Sequence, residues 1–321
     1  MKKKKNLIII ISTITILLLG IGGYLLFKDS PKKETTKEEI TPLMYEITKE
    51  GSNNKIYLFG SIHLANTKEF TFPKYLIDAY NNSHYLACEF DTVAYEKDTE
   101  RQTQDVLKML YEDGSTINEH LNSETYEKLV NFLKEKKLYS SLYDVYKPYF
   151  FESLITLALA NDSNIKSNSG IDDYFLKKAK KDSKTILEVE TSDFQTDLLL
   201  SFSDSLYEIM INDAIDNYDD EVKSLNELYE AWKEGNPDTL ENLSNDDIEI
   251  KDEYTKEQID LINDYNEKII TNRNTTMTDK LIEYFNSNYD VFYMVGAFHL
   301  IGDTGIAKQL ENKGFTVKQI N

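Results

Sequence analysis

Two stretches of the chain place a histidine three residues after a glycine at the end of an apolar run. Tyr57-Leu-Phe59 leads into Gly60-Ser-Ile-His63, and Val291-Phe-Tyr-Met-Val295 leads into Gly296-Ala-Phe-His299. Short apolar runs closed by glycine read as buried strands entering a turn. His63 and His299 then stand just past the carboxyl ends of strands, where open α/β sheets bind ligands. A lone histidine is more often a hydrogen-bonded core or surface residue. Here two of only four histidines occupy equivalent places, which points to a shared site.

Two further strand-like runs end in a carboxylate, Tyr85-Leu-Ala-Cys-Glu89-Phe90 and Thr185-Ile-Leu-Glu-Val-Glu190. A parallel sheet would display His63, Glu89, Glu190 and His299 along one rim. Two imidazoles with carboxylates suit a divalent transition metal that keeps an open position and lowers the pKa of a bound water, a spare carboxylate serving as base. Without metal, a Glu–His pair could do acid–base work directly. For either glutamate alone, an ion pair or a helix cap is the plainer reading.

The elements that must position these residues alternate. Pro73 opens an amphipathic segment reaching about Asn81 between the first two strands, an order that suggests a right-handed parallel crossover. Helical signals fill about 92–165, with an N-cap near Ser123, and a helix after Gly170-Ile-Asp172 precedes the Glu190 strand. Mostly helical sequence follows to Phe285, with a long pattern over 255–285 that contains Arg273-Asn274. A short helix and a last strand, Phe315–Ile320, come after His299. The expected fold is α/β, a mostly parallel central sheet with helices on both faces. It forms one domain, 41–321, with helical insertions at about 92–165 and 196–254.

Ahead of it, Lys2–Lys5 precede an apolar run from about Leu7 to Phe27, long enough to span a bilayer as a helix. The lysines assign residues 1–28 to a cytoplasmic end and a membrane anchor, with 29–40 a polar tether and the C-terminal domain outside the cell. A cleaved signal peptide is the alternative, although the apolar run is long for one. Residues 1–33 hold seven lysines and one aspartate, a net of +6, so the whole-chain −20 leaves −26 on the remainder. That acidity argues against nucleic-acid partners and against adhesion to anionic lipid. The single cysteine, Cys88, excludes an intrachain disulfide and reads as core. Oligomeric state is not legible.

The ordered set Gly60-x-x-His63, the Glu89 strand, Gly170-Ile-Asp172, Glu190-Thr191 with Gln195, Arg273-Asn274 and Gly296-Ala-x-His299-Leu-x-Gly302-x-x-Gly305 resembles the TraB/GumN group, which includes the Tiki membrane-anchored proteases and the pheromone-shutdown proteins. The resemblance spans most of 55–320. It implies a metal-dependent hydrolase, a peptidase acting on a peptide substrate or peptide signal, with His63 and His299 at a divalent ion, Mn²⁺ or Co²⁺ before Zn²⁺. Glu89 and Glu190 follow as ligand or base, and Arg273 as the oxyanion or substrate-carboxylate group. Gly60, Asp172, Gln195, Asn274, Gly296 and Gly302 would support substrate or ligands. Two other readings stand beside it: a surface protein that sequesters a peptide without cleaving it, and a metal-free Glu–His esterase-like hydrolase.

Overall fold

Order begins earlier than the polar composition suggests. The computed structural model describes residues 37–165, 170–244, 250–251 and 254–320. The apolar run at 7–27 and most of the tether lie outside them, and among the described residues no helix is long and apolar enough to cross a membrane. The tether's end is pinned: β1 (Glu38–Glu39) pairs in parallel with β4 (Phe70–Thr71), and Ile40 is buried.

In chain order the further strands are β2 (Met44–Thr48), β3 (Ile56–Ser61), β5 (Tyr85–Cys88), β6 (Thr185–Glu188), β7 (Val291–Gly296) and β8 (Thr316–Gln319). They form one six-stranded sheet in the order β6-β5-β7-β3-β2-β8. The four strands carrying the chemistry, β6, β5, β7 and β3, are mutually parallel, but β2 runs antiparallel to both β3 and β8. The sheet is therefore mixed. β2 escapes a periodicity reading because it is five residues long and carries Glu46 in its middle. The crossover from β3 does not reach its neighbour either, since β7, from the far end of the chain, inserts between β3 and β5.

That insertion seats the two histidine motifs side by side. Gly60 pairs with Val295 and Ser61 with Gly296, so the two Gly-x-x-His segments leave the sheet one residue out of step.

The principal helices are α1 (Lys74–Asn82), α2 (Thr92–Tyr95), α3 (Thr99–Lys108), α4 (Ser123–Glu135), α5 (Pro148–Asp162), α6 (Ile171–Asp182), α7 (Ser192–Leu200), α8 (Asp204–Asp216), α9 (Tyr218–Glu234), α10 (Pro237–Ser244), α11 (Lys256–Asn266), α12 (Arg273–Asn286) and α13 (Ile306–Asn312). Adjacent residues of β7 show that helices cover both faces, because successive strand side chains point oppositely. Phe292 meets Tyr80 of α1 and Phe175 of α6 at ring-centroid distances of 5.7 and 5.3 Å. Tyr293 instead donates its hydroxyl to the Met277 carbonyl of α12 at 2.8 Å. Complete burial of a ring such as Phe175 contributes about 1.5–3 kcal/mol. The two helical insertions pack on each other, with Tyr149 of α5 beside Tyr207 of α8 and the Tyr218 hydroxyl of α9 on Asp162.

The single long helix expected over 255–285 is interrupted: Glu267–Asn272 winds as a π-helix directly before Arg273. Such bulges recur at functional sites, because they re-aim the residues that follow.

Candidate active site

At the carboxyl edge of the parallel strands the order is Glu190, Glu89, His299 and His63, following β6, β5, β7 and β3. Three supporting elements reach this rim: the N-termini of α6, α7 and α12.

The carboxylate half is one ion-pair cluster. Arg273 donates through Nε to Glu190 Oε1 at 2.9 Å and through Nη2 to Glu190 Oε2 at 2.9 Å and Glu89 Oε2 at 2.7 Å. Gln195, in the first turn of α7, donates Nε2 to both carboxylates, at 3.1 Å to Glu89 and 2.8 Å to Glu190. The Gly296 amide donates to Glu89 Oε1 at 2.9 Å. Burial would raise the Glu89 carboxyl, but the charges of Arg273, His299 and His63 and the Gly296 amide outweigh it and hold the group at about 2. Glu89 is therefore a fixed anion. Arg273 itself is pushed higher still, since its two carboxylates overcome its burial.

The imidazole half is held from behind. Asp172, on the first turn of α6, receives the Ser61 hydroxyl on Oδ1 at 2.7 Å and His63 Nδ1 on Oδ2 at 2.9 Å. His299 Nδ1 lies 2.6 Å from Asn274 Oδ1, while Asn274 Nδ2 donates to the Thr304 carbonyl at 3.0 Å. The amide's orientation thus fixes the imidazole's: Nδ1 carries the proton, and Nε2 presents a lone pair.

The two rings differ in charge. Burial and then Arg273 push His299 down to about 3 despite Glu89, so it is neutral. Burial also acts to lower His63, but the Asp172 charge and hydrogen bond, with Glu89 adding, raise it to about 9. In the metal-free protein, a histidine raised in this way contributes stability that is complete below about pH 6.5. That contribution is lost as pH rises through about 9. With chelator present, the urea stability difference between wild type and Asp172→Asn is expected to shrink over that window. A constant difference would remove Asp172 as the source of the shift.

Gly170 shows how tightly α6 abuts His63. A Cβ there would lie 2.4 Å from the His63 carbonyl oxygen and 2.7 Å from its Cα, in the place where the Ile171 amide donates to Ile62 at 2.9 Å. Gly170→Ala is expected to destabilise by about 1–3 kcal/mol, read by urea unfolding, and to displace the His63 ring. Gly60 is similarly crowded, its added Cβ falling 2.9 Å from the Ala297 Cα, and its carbonyl accepts Trp232 Nε1 of α9 at 2.9 Å. A Cβ on Gly296 would rest in van der Waals contact with Glu89 Oε1 at 3.4 Å and His299 Cδ2 at 3.5 Å. Gly302, at φ +76°, makes the turn after the His299 motif and faces Glu241.

His63, Glu89, Asp172, Glu190, Gln195, Arg273, Asn274, Gly296 and His299 thus come together, and Gly60 packs beneath the rim. Gly302 contributes only a turn. Sequence reasoning missed Ser61, which holds the far oxygen of Asp172; a serine inside Gly-Ser-Ile-His carries no signal that sets it apart. Among the described residues no three His, Cys, Asp or Glu side chains are grouped to hold a metal ion.

The sequence model of the TraB/PrgY/gumN family matches residues 43–319. The chain belongs to that family. The uncharacterized protein YbaP of Escherichia coli (strain K12) is 22% identical over 265 residues, covering 83% of this chain and 90% of YbaP. Its Shigella flexneri counterpart matches to the same extent, 22% over 265 residues. No solved structure matches. Both histidine motifs, the two glutamates and the Arg273-Asn274 pair lie within the residues 43–319 that the family model matches.

Proposed function

We propose that this TraB-family rim hydrolyses a peptide or related amide with the help of a divalent cation held by His63 and His299. The observation that carries it is the pairing of both Nδ1 atoms with fixed oxygens, Asp172 Oδ2 at 2.9 Å and Asn274 Oδ1 at 2.6 Å. Metal-bound histidines are oriented by outer hydrogen bonds of this kind, which leave Nε2 for the ion. In that respect the residues fit: His63 and His299 would hold the ion through two imidazole nitrogens. When bound, such an ion would polarise the scissile carbonyl and acidify a water.

The rest falls to the chain's own groups. Glu89 is the proton acceptor, through Oε1, which among the described residues receives only the Gly296 amide. Held at about 2, Glu89 stays a carboxylate across the working pH range, and as so weak a base it would take the proton only in concert with the bond that the attacking water forms. Arg273 is then a clamp for Glu89 and Glu190, not an oxyanion group, because its Nε and Nη2 donors go to the two carboxylates and its Nη1 is turned back to the Ile269 carbonyl at 3.4 Å. Asn274 keeps His299 in the tautomer that ligates. The apolar run at 7–27 would tether this site to the outer face of a membrane.

The test is a peptide-panel assay on the full chain supplied with Mn²⁺, Co²⁺ or Zn²⁺, beside elemental analysis. Cleavage that chelator abolishes and Mn²⁺ restores is expected. Peptide recovered whole with no bound metal would overturn the hydrolase and leave sequestration.

A further inference from the structure

A second alignment of hydroxyl, imidazole and carboxylate is built from the loop between α3 and α4 together with the N-terminus of α8. Ser115 Oγ lies 2.7 Å from His120 Nε2, and His120 Nδ1 lies 2.8 Å from Asp204 Oδ2. Oxygen on Nε2 and carboxylate on Nδ1 is the arrangement by which a base takes a serine proton while an acid holds its tautomer. The parts are braced. The Tyr111 ring stacks on the imidazole with centroids 3.8 Å apart, and Thr116 and Glu119 close a capping box between Ser115 and His120. Asp204 sits on the first turn of α8, whose N-cap is Ser203. The His120 and Asp204 side chains are 28% and 32% exposed, so solutes reach the line. Beside Ser115, Gly114 at φ +78° leaves open space where a Cβ would be.

The hydroxyl has one hydrogen and two acceptors, because Asp113 Oδ1 also lies 2.6 Å from Ser115 Oγ. If the hydrogen goes to His120, the imidazole is neutral and the serine is activated. If it goes to Asp113, His120 must carry protons on both nitrogens, and the cluster is a locked ion pair. Asp113 also receives the Ser115 amide at 3.0 Å, and the Thr116 amide is taken by Glu119 Oε1 at 2.9 Å. Neither neighbouring amide is left for a developing oxyanion. Only substrates with good leaving groups would then react.

We propose that Ser115 is a nucleophile, a second acyl-accepting site for small activated esters that stands on its own geometry and not on the chemistry of the rim. Ser115 Oγ bonds to the acyl carbon as the bond from that carbon to the leaving oxygen breaks. The hydroxyl proton passes to His120 Nε2 and on to the departing alkoxide or aryloxide. Water then attacks the acyl-serine, gives its proton to His120, and releases the carboxylic acid with Ser115 restored.

The experiment treats the full chain with a fluorophosphonate and with 4-nitrophenyl acetate, and maps the adduct by mass spectrometry on the tryptic peptide Met109–Lys128, where Ser115 and Ser123 are the only serines. One adduct per chain on Ser115 is expected, formed at least about tenfold more slowly in His120→Gln and in Asp204→Asn, given the 10²–10⁴-fold typical of a positioned base. Asp113→Asn, which weakens the competing acceptor, is expected to label several-fold faster. No adduct on Ser115 in the folded wild-type chain overturns the proposal and identifies the locked ion pair. Labelling at an unchanged rate in both His120→Gln and Asp204→Asn overturns it as well.

Discussion

Exchanging Arg273 for methionine is expected to destabilise the fold by about 3–5 kcal/mol at neutral pH, the range for removing one partner of a buried ion pair. Arg273 is 5% exposed, and the carboxylates it bridges, Glu89 and Glu190, are 7% and 6% exposed. Without the guanidinium, two anions would share the Gln195 Nε2 donor, with the Gly296 amide left for Glu89, in a place water barely reaches. One of the pair would take up a proton, and the two would titrate as a coupled unit shifted upward. The pH dependence follows with a definite sign. In wild type the depressed Glu89 contributes stability that is present above about pH 4.5 and lost as pH falls through about 2. In Arg273→Met that contribution is gone and reversed, so the deficit is largest at pH 7 and smaller near pH 4. Urea unfolding at the two pH values, checked for a constant m-value, reads it. Adding Glu190→Gln should recover part of the loss at pH 7. A deficit under about 1 kcal/mol, the range of an exposed pair, would show that the cluster is solvated and that Arg273 is not the clamp.

The contrast between what was legible and what was not has a physical basis in particular residues. β3 and β7 declare themselves because each is buried throughout much of its length, so its apolar run is unbroken up to the glycine. His63, His299, Glu89 and Glu190 follow from those strands by simple position, and their meeting required only that the strands be parallel neighbours. The strand order was not readable. β7 enters between β3 and β5 after more than two hundred residues of intervening chain, and local pattern carries no record of a pairing that distant. β2 was hidden for the opposite reason: Tyr45 and Glu46 are only half-buried, so its five residues lack a clean period.

The hydrogen-bond partners were illegible as roles even where the residues were named. Arg273 and Asn274 are consecutive, yet one serves the carboxylates and the other His299, and the π-helical turn ahead of them is what delivers both. An arginine at a rim suggests an oxyanion group until its donors are counted. Likewise Asp172 becomes intelligible only with Gly170, whose missing side chain lets α6 press against the His63 backbone.

Replacing His63 or His299 by alanine is expected to lower Mn²⁺-supported peptide hydrolysis by more than the 10–100-fold that outer-shell substitutions cost. Each change removes an Nε2 donor that no neighbour can replace. Elemental analysis should show the cation lost in the double variant. The two single variants should differ in stability, and that difference guards against a trivial explanation. His299 is 6% exposed and is the partner of Asn274 Oδ1, so its removal leaves a buried acceptor unpaired, costing about 1–3 kcal/mol. His63 is more accessible, and its loss leaves Asp172 with the Ser61 hydroxyl still bound. His63→Ala is therefore the cleaner test of chemistry, and His299→Ala must be assayed well below its unfolding temperature. Hydrolysis undiminished in both, with metal still bound, would move the site off this rim. Hydrolysis lost in both while metal remains would instead make the imidazoles proton carriers, with His63 the acid and His299 the base.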